Sequence, residues 1–325
     1  MDFHLDDGQL ALQDQVARYC RARWPLARIA DRSSGCFDRA AWDALVELGM
    51  TSAMVEESRG GLGLGVVEGA VLFEQLGRHL VPGPCLWSAL GALVVRDVAA
   101  GKRMAGGTED HGQSPLFVEH ASVVDAVIVL RSDGVFCIDR EALPPATPAE
   151  AFDPHNPVGV FASLPVGTRV GDAAEAARLR AIGAVLTAAL QLGIADAALD
   201  VAVGYALERE QFGVPIGSFQ ALKHLMADMY VRVGLARSAT YAAAAVLDDP
   251  EVGNVLRSVG AAKLLSSEAA LENARASVQV LGGMGYTWEM PPQFLLKRAW
   301  VLDPGFGTST QHALAIGASL AEELA

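Results

Sequence analysis

Two apolar stripes at helical spacing, separated by a turn rich in glycine and proline, constrain this chain more than any other feature. From about Ala177 to Glu208, apolar residues recur at Leu179, Ile182, Leu186, Ala189, Leu190, Ile194, Ala197 and Ala198, the period of a helix. Gly213, Pro215 and Gly217 then break the pattern. A second run follows at Phe219, Leu222, Leu225, Met226, Met229 and Val233. Two long helices joined this way must bury their stripes against further helices. The C-terminal region therefore reads as a bundle with long helices at about 174–210, 217–248, 252–281 and 308–324. Alanine and glycine at the packing positions allow close approach, and the run Ala239–Val246 is a strong helix former.

Composition narrows the class. The 325 residues are 51% hydrophobic, ample for a core shared by two or three domains. The net charge of −13 is the wrong sign for a surface that follows phosphates, so nucleic acid is not an expected partner. Cys20, Cys36, Cys85 and Cys137 are scattered without metal-ligand spacing and read as reduced thiols of a cytoplasmic protein. The N-terminal MDFHLDDGQL is acidic and lacks the apolar core of a signal peptide. No uninterrupted apolar run reaches about 18 residues, so no membrane span is expected.

Residues 1–107 read as a helical domain. Leu10, Leu12, Val16 and Tyr19 mark one amphipathic stretch, and Trp42, Leu45, Val46 and Leu48 another that ends on Gly49. The glycine-rich Val55–Gly65 follows no strand and lacks GxGxxG spacing, which makes it a tight loop rather than a phosphate loop. A helix is expected over Val66–His79, then a loop and a further helix from Val81. Residues 108–173 change character. Short apolar clusters at Pro115–Val118, Ala126–Leu130, Val135–Ile138 and Gly159–Leu164 alternate with turn residues, the pattern of a small β domain. Residues 174–325 form the bundle. The fold class is therefore mainly α with a small β domain. His224 and His312 lie on expected helices and read as structural histidines, so no metal site is expected, and no nucleophile elbow stands out.

Arg209 closes the first long helix, where a cation complements the carbonyl end of the macrodipole; that alone requires no ligand. The stretch around it carries more. Arg-x-Gln-Phe-Gly-x-Pro-Ile-Gly-x-Phe-Gln over Arg209–Gln220, followed by Lys-x-x-x-Ala-Asp-Met over Lys223–Met229, resembles the C-terminal signature of flavin-dependent acyl-CoA dehydrogenases. A second segment, Gln-Val-Leu-Gly-Gly-Met-Gly-Tyr over Gln279–Tyr286 with Glu289, Pro291 and Arg298 beyond it, resembles the same family. So does the loop Val55–Gly65. The resemblance spans most of the chain. It implies a helical N-domain, a shortened β domain and a C-terminal helical bundle. It also implies FAD, whose doubly negative pyrophosphate suits an arginine, an amide and backbone N–H groups. The residues that the resemblance assigns to FAD are Arg209, Gln211, Phe212, Phe219, Gln220, Gln279, Gly282, Gly283 and Thr308. In the family they reach across a dimer interface to flavin held by the neighbouring subunit. An acyl-CoA substrate and an electron-transfer flavoprotein as acceptor are implied with them.

Three departures from the family matter. The Thr-Glu-Pro-x-x-Gly-Ser and Trp-Ile-Thr/Ser segments, which line the flavin ring and open the acyl pocket, are missing; no tryptophan occurs between Gly106 and Asp172. The motif that should carry the catalytic glutamate reads Pro304-Gly305-Phe306-Gly307-Thr308-Ser309, with Phe306 in the glutamate's place. The alternative position for the base, on the helix ahead of Arg209, is Gly183. Removing the α-proton of an acyl thioester requires an acceptor within hydrogen-bond reach, which neither phenylalanine nor glycine supplies. Asp303 is a weak candidate, and Glu175 lies more than two helical turns before Gly183. The expectation is a subunit without its own base, paired with a full-length homologue whose FAD it completes, as in heteromeric dehydrogenases of steroid side-chain CoA thioesters. One alternative is a self-sufficient homo-oligomeric flavoenzyme with a non-standard base; another is a flavin-free structural protein on an inherited fold.

Overall fold

The computed structural model describes residues 5–32, 37–147 and 149–324. It is 61% helical and 10% strand, and the chain divides into two compact units. Cys20 and Cys85 are buried and Cys137 is partly buried; Cys36 lies outside the described residues.

One unit spans Ser33–Gly69 and Pro82–Gly183. It contains α2 (Arg39–Glu47), α4 (Cys85–Ala92), the short α5 (Arg96–Ala99) and strands β1 (Ala105–Glu109), β2 (Leu116–Glu119), β3 (Ala126–Leu130), β4 (Val135–Asp139), β5 (Val158–Phe161) and β6 (Thr168–Gly171). The main sheet runs β1-β3-β4-β6, with β1 parallel to β3 and the remaining pairs antiparallel, while β2 and β5 form a separate antiparallel pair. Four of these strands lie where the apolar clusters predict them. β1 begins in a stretch that the sequence assigns to the helical domain, and it is a strand for a tertiary reason. Trp87 of α4 lies over Gly107, where a Cβ would come within 2.1 Å of the indole. The Ser88 hydroxyl also exchanges two 2.9 Å hydrogen bonds with the Ala105 backbone. Val118, Val124, Val127, Val129, Phe136, Ile138 and Phe161 fill the core between the strands.

The other unit spans Met1–Arg32, Ala70–Val81 and Ala184–Ala325. It contains α1 (Asp7–Arg23), most of α3 (Val66–Arg78), the C-terminal part of α6 (Ala173–Glu208), and then β7 (Glu210–Gln211), β8 (Val214–Pro215), α7 (Gln220–Asp248), α8 (Val255–Leu281), α9 (Pro292–Leu302) and α10 (Ser309–Leu324). The long helices match the apolar periodicity to within a few residues. α9 is an addition, opened by Pro292 at its first position, where the absent N–H costs nothing. By length and composition α6 could cross a membrane, which a count of uninterrupted apolar residues does not reveal. In this fold 89% of its most apolar window is buried within the protein.

Backbone packing explains the small residues. α3 and α6 cross so closely that a Cβ at Gly77 would lie 2.1 Å from the Leu190 carbonyl oxygen, and one at Gly193 would lie 2.0 Å from that of Glu74. α8 runs through the bundle with Lys263, Ser266, Ser267, Asn273 and Ser277 all buried. Asn273 Nδ2 donates to Ala195 O of α6 (3.2 Å) and Met229 O of α7 (3.0 Å), tying three helices at one level. Gln191 Nε2 donates to Ser267 Oγ at 2.6 Å, and Thr240 and Ser266 pair at 2.9 Å. These bonds replace the water that buried polar groups lose, so they fix the register of the helices rather than adding much net stability.

Candidate functional site

The first element is the turn between α6 and α7. Arg209 directly follows α6, and β7 and β8 form a two-residue hairpin with Glu210 opposite Pro215 and Gln211 opposite Val214. Phe212 (φ +55°) and Gly213 (φ +80°) make its tip. Left-handed backbone at both central residues is the geometry that matches strand twist in such hairpins. Ile216 anchors the turn: it is buried, and its N–H donates to Arg209 O at 2.8 Å. The tip then holds Phe212 out into solvent, 94% exposed, with its ring edge-on to Phe219 at 6.2 Å between centroids. Gln211 Nε2 folds back onto Glu210 O (2.8 Å). Gln220 Nε2 meets His224 Nε2 at 3.3 Å.

The electrostatics of this turn favour an anion. Phe219 at the N-cap of α7 offers no side-chain acceptor, and the first turn holds no acidic residue. Lys223 and His224 stand near this positive helix end instead. Arg209 is exposed and makes no ion pair among the described residues. The motif is what singles it out in the sequence. The placement of Lys223 at this helix end was not read from the sequence, although a cation near a helix N-terminus, against the dipole, is a signal readable there.

The second element ends α8. Gln279 lies exposed in its last turn, and Gly282 (φ 60°, ψ −134°) stops the helix in a conformation open to glycine alone. Nothing approaches within 4 Å of a Cβ built on Gly282 or Gly283, so the backbone there is open to a ligand. Beyond it Tyr286 and Trp288 are 75% and 61% exposed, and Lys297 Nζ sits 4.2 Å from the centre of the Trp288 ring.

The third element joins α9 to α10. Phe306 is buried and adopts φ +55°. His312 Nε2 lies 2.9 Å from Phe306 O, which fixes the ring proton on that nitrogen. Thr308 caps α10: the Gln311 N–H donates to its Oγ1 (3.2 Å), and the Thr308 N–H donates to Gln311 Oε1 (2.8 Å). Asp303 Oδ1 accepts from Ser267 Oγ (2.7 Å) and Ser309 Oγ (3.2 Å). The fully buried Lys263 donates Nζ to the carbonyls of Leu302 (3.3 Å) and Asp303 (3.0 Å), capping the negative end of α9. Asp303 thus fastens the turn to α8. Gly183 is buried within α6.

The structure groups Arg209, Gln211, Phe212, Phe219 and Gln220 on one turn, Gln279, Gly282 and Gly283 on another, and Phe306 and Thr308 on a third. Among the described residues no hydrogen bond or ring contact joins the first group to the second.

Comparison with known proteins decides the family. Residues 178–321 match the acyl-CoA dehydrogenase C-terminal domain, and residues 6–102 match the acyl-CoA dehydrogenase N-terminal domain. The chain is 32% identical over 282 residues to the acyl-CoA dehydrogenase IpdE2 of Mycobacterium tuberculosis, covering 84% of each. The chain belongs to the acyl-CoA dehydrogenase family. It is also 34% identical over 287 residues to the acyl-CoA dehydrogenase FadE34 of the same organism, but spans only 39% of that protein's length. Among solved structures, a chain of the ChsE4-ChsE5 complex from Mycobacterium tuberculosis superposes with a TM-score of 0.84 at 26% identity, covering 99% of both chains. The Tcur3481-Tcur3483 steroid dehydrogenase, at 22% identity and a TM-score of 0.84, shares the fold. An acyl-CoA dehydrogenase of this kind is an oxidoreductase acting on CH–CH bonds. The residues present fit one end of FAD: an exposed arginine, a helix N-terminus without a side-chain cap and an open glycine turn all suit its pyrophosphate.

Proposed function

We propose that this chain is the base-less subunit of a hetero-oligomeric, FAD-dependent acyl-CoA dehydrogenase, completing the cofactor site of a full-length partner. The observation that carries this reading is the orientation of the hairpin. Arg209 and Phe212 face solvent, while the two positions expected to hold a base carry Phe306 and Gly183. When bound, FAD supplies the hydride acceptor for α,β-desaturation. The residues of this chain bind and orient it. Arg209 and the N-terminal turn of α7 neutralise the pyrophosphate, Gln279 donates an amide, and the Gly282-Gly283 turn admits the phosphates without a Cβ in the way. Proton abstraction and the flavin-ring contacts fall to the partner. An electron-transfer flavoprotein is the acceptor on this reading, and the cytoplasm its location. The similarity to a chain of the ChsE4-ChsE5 complex supports a heteromeric enzyme. A bulky steroid side-chain thioester is the substrate on this reading, because the missing acyl-pocket segments leave room for rings.

The test is the flavin-to-protein ratio. The chain purified alone is expected to carry little FAD, with stoichiometric flavin recovered on co-expression with a full-length homologue. Arg209→Ala is expected to lower flavin retention in that complex and leave the melting temperature of the chain unchanged. Near-stoichiometric FAD in the isolated chain would instead establish a self-sufficient enzyme.

A further inference from the structure

A cleft of about 480 Å³ opens within one unit, between α1, α3, α6 and α7, in the size range of small-molecule sites. Part of its wall is a closed set of charges. Glu74 accepts from Arg237 and from the Tyr241 hydroxyl, Asp196 pairs with Arg237 at 3.3 Å, and Arg78 joins Asp196 to Asp200. These groups satisfy one another and need no ligand. Other polar groups of the cleft are uncommitted. Gln75 lines it beside Glu74 and is only 6% exposed, yet its amide makes no hydrogen bond among the described residues. A buried amide ordinarily finds partners for its two donors and its oxygen, and a group left unmet costs about 1–3 kcal/mol. From α1 the lining takes Gln13, Asp14, Ala17 and Arg21. Asp14 and Arg21 are exposed, and neither forms an ion pair among the described residues. They stand two turns apart on one helix face, about 10 Å along the axis. Between them α1 lines the cleft only with the small Ala17.

We infer that this cleft binds a small zwitterion of dipeptide size, with its ammonium on Asp14, its carboxylate on Arg21 and its central amide on Gln75. Charge selects the class. A polyanion would meet Asp14 beside the Glu74 and Asp196 carboxylates, and a polycation would meet Arg21 beside Arg78 and Arg237. A molecule that carries both signs, one at each end, meets neither repulsion. Length agrees. Helical side chains lean toward the N-terminus, so the long Arg21 side chain reaches back toward Asp14 and shortens the span between the two charges. What remains suits an extended dipeptide, which covers about 7 Å. The middle of such a ligand is a peptide group, whose N–H and C=O are the complement of the oxygen and donors that Gln75 leaves unused. The site belongs to this chain alone and calls for neither FAD nor a partner subunit.

Titration calorimetry of the full chain with alanylalanine tests the site. Saturable one-to-one binding is expected, weakened about tenfold or more by Gln75→Leu. That variant should melt at or above the wild-type temperature, because an apolar side chain of similar size replaces an unpartnered amide. Asp14→Asn and Arg21→Gln change exposed positions and leave the fold intact, so they decide the matter even if Gln75→Leu fails to fold. Wild type is expected to prefer alanylalanine over its N-acetyl derivative, which lacks the cation, and over its C-terminal amide, which lacks the anion. Asp14→Asn should erase the first preference and Arg21→Gln the second, each without touching the other. Absence of saturable binding, or binding that Asp14→Asn and Arg21→Gln both leave unchanged, overturns the site. Equal affinity of wild type for the free and capped dipeptides overturns the zwitterion class. Inorganic phosphate that binds as tightly as alanylalanine, and is lost with Arg21→Gln, would make the cleft an anion site and overturn the proposal in the same way.

Discussion

The exposed ring of Phe212 gives the sharpest energetic prediction. At 94% exposure, almost none of its surface is buried within the chain. An aromatic side chain covers about 150–250 Å², and at about 25 cal/mol per Å² its full burial on a partner would release about 4–6 kcal/mol. Part of that is lost on association to the ordering of side chains, but little at this residue. The two-residue turn fixes the backbone at φ +55°, and the Phe219 ring steadies the side chain. Phe212→Ala is therefore expected to weaken assembly by about 2–3 kcal/mol, roughly 30- to 150-fold in Kd. The isolated chain should keep its stability, because the ring is held within the chain by little more than the edge of Phe219. Phe212→Gly sharpens the comparison. It removes the ring and also relieves a left-handed conformation unfavourable to phenylalanine, so it should raise the melting temperature while weakening assembly equally. Thermal melts of the single chain read the second quantity, and titration calorimetry against the full-length homologue the first. Equal affinity for wild type and Phe212→Ala would refute the reasoning.

Three further outcomes concern the scaffold. Burial, reinforced by the neighbouring Arg78, lowers the His79 pKa from 6.5 to about 4. The depressed folded value means that the stability from keeping this ring neutral is complete above about pH 6.5 and is lost as pH falls toward 4. The loss is about 3 kcal/mol at 1.36 kcal/mol per unit, read from urea melts at pH 7 and pH 4, and His79→Leu should flatten that part of the profile. Glu74 is 3% exposed in its side chain and pairs with Arg237 Nη2 (3.0 Å) and the Tyr241 hydroxyl (2.6 Å); Arg237 also pairs with Asp196 (3.3 Å), so Glu74→Ala chiefly strands the buried Tyr241 hydroxyl and should cost about 1–3 kcal/mol in denaturant unfolding. Gly193→Ala places a Cβ 2.0 Å from the Glu74 carbonyl oxygen, so α3 and α6 must move apart and soluble expression should fall sharply, whereas Gly317→Ala in α10, where nothing lies within 4 Å, should be tolerated.

The bundle was legible because its helices bury stripes of Leu, Ile, Val and Ala at a period that water and packing both enforce. α9 was not, because Pro291 and Pro292 resemble a loop until the missing N–H is placed at a helix start. β1 could not be read from Ala105-Gly106-Gly107-Thr108, which has almost no strand propensity and is made a strand by Trp87 and Ser88. Periodicity also treats polar residues as outward-facing. It therefore hid Lys263 and Asn273, whose burial depends on carbonyls from other helices. The motifs pointed to Arg209, Gln279 and the glycine turn, and the structure leaves all three exposed. The outward direction of Phe212 depends on a pair of positive φ angles, which no residue pattern states.

Phe306 has an evolutionary consequence. Its position is buried, and its carbonyl is held by His312 in the turn that Lys263 and Asp303 fasten. A glutamate returning there by mutation would bring a charge into a site now packed for an aromatic ring, with no flavin-ring segment in the same chain to make use of it. Its cost would fall on folding at once, while any catalytic return would wait on the recovery of two lost loops. Selection acting one substitution at a time would remove the revertant before those loops could reappear. On the function proposed above, the division of labour between two subunits would work as a ratchet, and a chain carrying Phe306 would need its partner for as long as the activity is needed.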